Sequence, residues 1–382
     1  NHALTGAISI TTTDNETTIN NDADVTISGM NSGLELKLGT LTIKGDLSIT
    51  TASTVGISDE GVLTIHGTST FVTSTDDATI DLGSTNFFNG EIDLSTRGTS
   101  GHVTLVQGDS TNLKFAASEV RGNLTTTTGS GSAVSQSGIL TVDGTTDIST
   151  EDAGGDGTHD SNVKLETQEN VLTGAVSLRG WNVRLVNSKA VELGTVKSRA
   201  LIVTARDAIT QSLASVITSK GSSTITAQSS DTNTDYDITL ENASNDFQGN
   251  ITLTAANVSI KNTGSTLLGA STLSGNYTII TTGAVIDNGD LDIEGYTSIT
   301  VTDPDLRIEL NRATNDFTGA VSVVADDVTL VDANDIVLGT SDVSGTYDVT
   351  ATAGGDITDA DGNVLDITGN ATFTAAAGQQ VI

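Results

Sequence analysis

The sequence predicts an all-β fold, a right-handed parallel β-helix (solenoid), on three observations. The first is internal repetition. Thr318 to Val323 (TGAVSV) has near-copies at Thr5 to Ile10 (TGAISI), Asn89 to Leu94 (NGEIDL), Thr173 to Leu178 (TGAVSL) and Gln248 to Leu253 (QGNITL). Their glycines, at 6, 90, 174, 249 and 319, are spaced 84, 84, 75 and 70 residues apart. The 70-residue step also relates Asn245-Asp246-Phe247 to Asn315-Asp316-Phe317, Leu267-Leu268-Gly269 to Val337-Leu338-Gly339, and Ser274-Gly275-Asn276-Tyr277 to Ser344-Gly345-Thr346-Tyr347. A drifting period of this kind marks an array in which each unit stacks on the last. The second is alternation: apolar clusters are three to five residues long with period two, the pattern of half-buried strands. The third is composition. Aromatic residues make up 3% of the chain and there is a single proline, too few large anchors and no proline-rich linker for a chain of compact sandwiches.

Taken in order, the strands begin with Ile8-Ser9-Ile10, Val25-Thr26-Ile27, Leu41-Thr42-Ile43, Leu63-Thr64-Ile65 and Ile80-Asp81-Leu82. Further strands are Val103-Thr104-Leu105, Val183-Arg184-Leu185, Ile251-Thr252-Leu253, Val328-Thr329-Leu330 and Leu365-Asp366-Ile367. Gly, Asn, Asp or Ser follows each within a few residues and supplies the turn. No window has a helical period. Outward positions are mostly Thr and Ser, so the outer face is expected to be a field of hydroxyls with Asp at the corners. The alternative is a tandem β-sandwich array of 70 to 84 residues per unit; a solenoid better tolerates a period that shrinks, because insertions leave through turns while strands keep stacking.

The expected organisation is one continuous β-helical region over 1–382, with long repeats starting near 5, 89, 173, 248 and 318. At about 20 to 23 residues per coil the chain makes about 17 to 19 coils, and at ~4.8 Å per strand a rod of about 80 to 90 Å. Val321, Val323, Val328, Leu330, Ile336, Leu338, Tyr347, Val349, Ile357, Leu365, Ile367 and Phe373 are then expected to point inward. Each buried apolar side chain contributes roughly 1.5 to 3 kcal/mol before entropy is subtracted.

The strings NDFTGAVSV (315 to 323), DVTLVDANDIVLGT (327 to 340) and DITGNATFTA (366 to 375) resemble the repeats of large filamentous-haemagglutinin-like exoproteins, secreted adhesins of the two-partner type. The likeness covers essentially the whole chain and is clearest after Asn170. It implies a right-handed parallel β-helix that leaves the cell through an outer-membrane partner and acts in adhesion, aggregation or biofilm. The family's amino-terminal secretion domain is not in this sequence.

Charge narrows the partners. There are 48 acidic and 16 basic residues, a formal net charge of −32, which keeps a long particle soluble and repels nucleic acid and anionic membrane. No stretch is long and apolar enough for a membrane span, and Asn1-His2-Ala3-Leu4 lacks signal-peptide character. Because the first repeat copy begins at once, the chain is expected to be a segment of something longer. Cysteine is absent, which leaves the redox compartment open.

β-Helices also include polysaccharide lyases and hydrolases, whose sites gather carboxylates, or a basic residue beside metal-binding acids, on one lateral face. Acids group here at Glu151, Asp152, Asp156 and Asp160 and at Asp287, Asp290 and Asp292, without an evident basic companion, and read as solvated turn carboxylates. His2, His66, His102 and His159 have no metal-ligand spacing. No Walker loop, Arg-Gly-Asp or Ser/His/Asp signature occurs, and Ser161-x-x-Lys164 lies outside the helix a catalytic pair would need. The expectation is a non-enzyme without a required cofactor. Calcium is the one ion the sequence could accommodate: Asp359, Asp361 and Asn363 place oxygens at alternate positions around a glycine, although Asn370 stands where a bidentate Glu belongs. Gly154-Gly155-Asp156-Gly157 is a single, incomplete version of a calcium nonapeptide. Seven Asn-X-Ser/Thr triplets, beginning with Asn15, Asn123 and Asn242, permit glycosylation.

One cluster departs from the acidic background. Arg179, Arg184, Lys189, Lys197, Arg199 and Arg206 surround Trp181, and the aligned copies carry Ala256 and Asp326 where Trp181 stands. An indole flanked by Arg179, Arg184 and Arg199 suits stacking on a sugar and holding its acidic groups. A basic middle and an acidic carboxy-terminal part also suggest contacts between rods at low salt. The expected function is a structural and adhesive segment of a giant extracellular, cell-surface protein, meeting cell-surface or matrix glycans and proteins, or other copies of itself. The alternative is a β-helical protein that binds or degrades polysaccharide.

Overall fold

In the computed structural model, residues 8–10, 16–21, 23–30, 33, 35–150, 161–360 and 362–382 are described. Among them there is no helix; strands, most of them three to eight residues long, alternate with bends and turns. All pairings between named strands are parallel, and each strand pairs with one roughly a coil further along the chain. This is a β-solenoid, a parallel β-helix. Parallel pairing between successive coils rules out the sandwich array, whose sheets would be built from antiparallel hairpins.

The chain forms two compact units, 1–198 and 199–382, each with two strand ladders facing one another across a core. In the first unit, Ile27, Ile49, Phe71 and Leu94 are register partners on one ladder and are wholly buried. In the second, Leu240, Ile260, Ile279, Ile299 and Val323 form the same kind of column, at most 1% exposed. Alternation forces this: a period of two puts every second side chain inside, and parallel stacking places like above like. Phe71 and Phe88 add an edge-to-face pair with centroids 6.0 Å apart.

Coil length varies more than the sequence suggests. It is 22 residues from Val25 to Leu47, 19 from Val258 to Tyr277, 24 from Thr297 to Val321 and 30 from Thr146 to Val176. The longer coils reduce the total to about 16 turns, below the expected 17 to 19. Nine of the twelve residues expected inside, from Val321 through Ile357, are buried. Leu365, Ile367 and Phe373 are only half-buried, because they lie in the last coils, where little stacks above them. The expectation that Thr and Ser point outward also needs correction: Thr51, Thr73, Thr126, Thr146, Thr281 and Thr297 are buried. There the methyl group fills core volume, and some hydroxyls turn back to a corner carbonyl, as Thr281 Oγ1 does to Gly264 at 2.6 Å.

The recurrent glycine has a reason unrelated to unusual dihedrals. A Cβ on Gly319 would sit 2.3 Å from the Gly295 carbonyl oxygen, and one on Gly90 would sit 2.2 Å from that of Gly67. Corners stack on corners too closely for any side chain.

Candidate functional site

The interior carries a polar device that recurs with the repeat. Asn86, Asn170, Asn245 and Asn315 are completely buried, and each stands four residues before a recurrent glycine, at 90, 174, 249 and 319. Each side-chain oxygen accepts a backbone N–H from another strand: Leu63 at 2.8 Å, and Leu140, Ile217 and Leu291 at 3.0 Å. Each side-chain nitrogen donates to a further polar residue: Asp59 at 2.5 Å, Gln136 and Gln211 at 2.9 Å, and Asp287 at 2.7 Å. A second set, Gln107, Asn187, Asn262 and Asp332, accepts the N–H of Phe88, Leu172, Phe247 and Phe317 at 2.8 to 3.1 Å. These side chains pair backbone groups that would otherwise be buried without partners, and beside Asn86 and Asn170 the ladder shifts register.

The corners are stitched as well. Asp24 accepts the N–H of Asp46, and Asp46 accepts that of Thr68. In the second unit the series Asp237, Asn257, Asn276 and Tyr296 is linked by the same bond at 2.9 to 3.0 Å. Asp77 accepts from the N–H groups of Thr99 and Ser100, which hold its carboxyl below the usual range, and the Thr346 N–H does the same for Asp327. His102 takes this corner role through Nδ1, which accepts the Asn123 N–H at 2.9 Å. The bond assigns the ring hydrogen to Nε2.

These bonds revise one reading of the acids. Asp287 is not a solvated turn carboxylate: it is 6% exposed and accepts from Asn311 N, Arg312 N and Asn315 Nδ2. Asp290 has a basic companion after all, Arg312 Nε at 2.5 Å, and accepts the Thr314 hydroxyl at 2.6 Å. The Thr314 bond, then Arg312, lowers its carboxyl pKa. Arg312 is 22 residues away in sequence, so only stacking of coils brings it close. Glu151, Asp152, Asp156 and Asp160, with the glycine string at 154 to 157, lie outside the described residues, as do His2 and His159.

Trp181 stands at a corner between Val176–Arg179 and Asn182–Asn187 and is 43% exposed. Arg179 and Arg184 flank it on strands of different ladders. Each is matched with an acid, Arg179 with Asp147 and Arg184 with Glu166 at 3.2 Å, so part of the expected cationic surface is already neutralised. Arg199 directly follows the strand Val191–Ser198, whose Lys197 is the register partner of Arg179.

Of the calcium candidates, Asp359 ends the strand Ile357–Asp359 and is exposed, and Asn363 accepts the Thr340 hydroxyl at 3.0 Å. The Asn363 N–H closes the turn on the Ala360 carbonyl at 3.1 Å, with Gly362 at φ +79°. Asp361 lies outside the described residues. Among the described residues no three His, Asp or Glu side chains converge as metal ligands, and no helix is long and apolar enough to cross a membrane.

Parallel coils, a recurrent glycine corner and a recurrent buried amide define a repeat β-solenoid protein. Five consecutive segments, 22–95, 100–179, 180–254, 255–324 and 325–382, match a family described as repeats of unknown function (DUF5649). The chain belongs to that family. The last three segments start at 180, 255 and 325, the same steps of 75 and 70 that separate Gly174, Gly249 and Gly319. No curated protein and no solved structure matches the chain significantly.

Proposed function

We propose that this chain is a structural and adhesive segment of a large extracellular, surface-associated protein of the filamentous-haemagglutinin-like kind. It holds a repeated surface in place rather than turning over a substrate. The observation that carries this reading is the division of labour between inside and outside. The repeat preserves what joins coil to coil: stacked glycine corners, buried Asn side chains and apolar columns. The outer residues vary between copies, with Trp181, Ala256 and Asp326 at one repeat position. A scaffold that fixes its interior and varies its surface suits presentation to glycans, to proteins or to other copies of itself. The excess negative charge argues against nucleic acid as a partner.

The test is adhesion and turnover measured together. Beads coated with the full chain are expected to be retained on cell or matrix surfaces bearing glycans, while a polysaccharide panel incubated with the same protein yields no new reducing ends. Retention no greater than that of uncoated beads, or release of reducing ends, overturns the reading.

A further inference from the structure

The second unit carries a surface groove that is better equipped for a ligand than the Trp181 corner. Tyr296 forms one end and is 51% exposed, held at its corner by its N–H bond to Asn276 Oδ1. The floor is the outward face of adjoining strands, with Thr239, Ser259 and Thr278 in one register column. This part encloses about 450 Å³. Beyond Thr239 and Glu241, which line both parts, a second hollow of about 300 Å³ runs to Leu213, which is fully exposed.

From the strand Ile209–Gln211 to Thr297–Val301 the groove crosses five adjacent strands. At ~4.8 Å per strand that is on the order of 20 Å. It has an aromatic surface at one end, an aliphatic one at the other, and hydroxyl and carboxylate oxygens between them. Among the described residues that line it, the ionisable side chains besides Tyr296 are two carboxylates, Asp237 and Glu241.

We infer that this groove binds a linear neutral oligosaccharide lying across the strands, with one sugar ring stacked on Tyr296 and its hydroxyls donating to Glu241 and Asp237. Sugar C–H faces stack on aromatic rings, and carboxylates accept hydroxyl donors strongly. The two carboxylates repel uronate or sulfated sugars. This reverses the acidic ligand expected at Trp181. The inference rests on the adhesive reading above and names the ligand class that one face of the second unit recognises.

The test uses the full chain and four-unit neutral gluco-, manno- and galacto-oligosaccharides, with an oligogalacturonate of equal length as the charged counterpart. Binding is followed by saturation-transfer NMR and calorimetry. At least one neutral series is expected to bind and the uronate not. Tyr296→Ala is expected to weaken binding about tenfold, as removal of an aromatic anchor does, and Leu213→Ser to weaken it less. Neither exposed substitution should move the melting temperature. No neutral binding, equal binding by Tyr296→Ala, or selective capture of a basic peptide instead of any sugar overturns the proposal. Beads that still adhere in that event remove this groove and leave the adhesive reading standing. Tyr296-dependent sugar binding without bead adhesion does the reverse.

Discussion

Asn245→Ala is expected to destabilise the second unit by about 3–5 kcal/mol, among the largest effects of any single substitution in the chain. The side chain is wholly buried and bonds in four directions: it accepts from Ile217 N and Gln211 Nε2 and donates to Gln211 Oε1 and the Leu240 carbonyl. Alanine leaves the Ile217 N–H buried and unpaired and takes the side-chain donor from the Leu240 carbonyl, while Gln211 loses one of its two partners at each end and keeps Ser215 O and the Asn242 N–H. Each such group costs roughly 1–3 kcal/mol, and the lost volume adds a smaller cavity term. Chemical denaturation of the full chain checks this. The outward Thr239→Ala serves as control and should shift stability by less than about 0.5 kcal/mol. Asn245→Ala unfolding like the control would show that the amide bonds are dispensable.

Asp332 gives the second large effect, and it depends on pH. It occupies the repeat position held by Asn187 and Asn262, but a carboxylate can only accept. Asn262 Nδ2 donates to the Phe247 carbonyl at 3.4 Å; ionised Asp332 has no donor to offer the corresponding Phe317 carbonyl. Burial pushes its pKa up to about 6. The N–H groups of Asn334 and Phe317 oppose that shift, and the nearby charges of Asp316 and Asp335 add to it. The folded pKa lies above that of the unfolded carboxyl, 3.8. The proton therefore binds the folded state more tightly, and the stability this gives is complete below about 3.8 and lost as pH rises through about 6. Asp332→Asn is expected to raise the melting temperature at pH 7.5 by roughly 3–8 °C. Its advantage should shrink steadily as the pH is lowered from 7.5 to 4. Thermal melts of both proteins across that range decide it; a constant difference, or an Asp332→Asn variant less stable than the parent at neutral pH, contradicts the assignment.

Much of the fold was legible in the sequence. Period-two alternation at Val321, Val323, Val328 and Leu330 placed those residues inside because a pleated strand has only two faces. The glycine recurrence located the corners, though not the reason for them: the contact between Gly319 and the Gly295 carbonyl is a property of stacking, invisible along one strand. The buried amides were missed although their signal was present. Asn245-Asp246-Phe247 and Asn315-Asp316-Phe317 stood out as matching strings, and extending the glycine motif four residues upstream would have found Asn86 and Asn170 as well. A polar residue beside a turn suggests solvent, and only the third dimension shows the N–H that it meets.

The surface was less legible still. Arg179 and Arg184 looked like a cationic frame for Trp181, but their acids, Asp147 and Glu166, are 32 and 18 residues away and are brought near by the coils. The Tyr296 groove draws residues from several coils, from Leu213 to Tyr296, with no local motif to announce it.

The central claim is that coils joined through buried amides form the scaffold on which the outer surface is displayed. Hydrogen exchange of the full chain at neutral pH, resolved to the peptides containing Leu63, Leu140, Ile217 and Leu291, tests it most directly. These four N–H groups donate to Asn86, Asn170, Asn245 and Asn315, and the account predicts that they remain protected as long as the slowest strand amides. Exchange as fast as that of the exposed corner at 230 to 234 would contradict it.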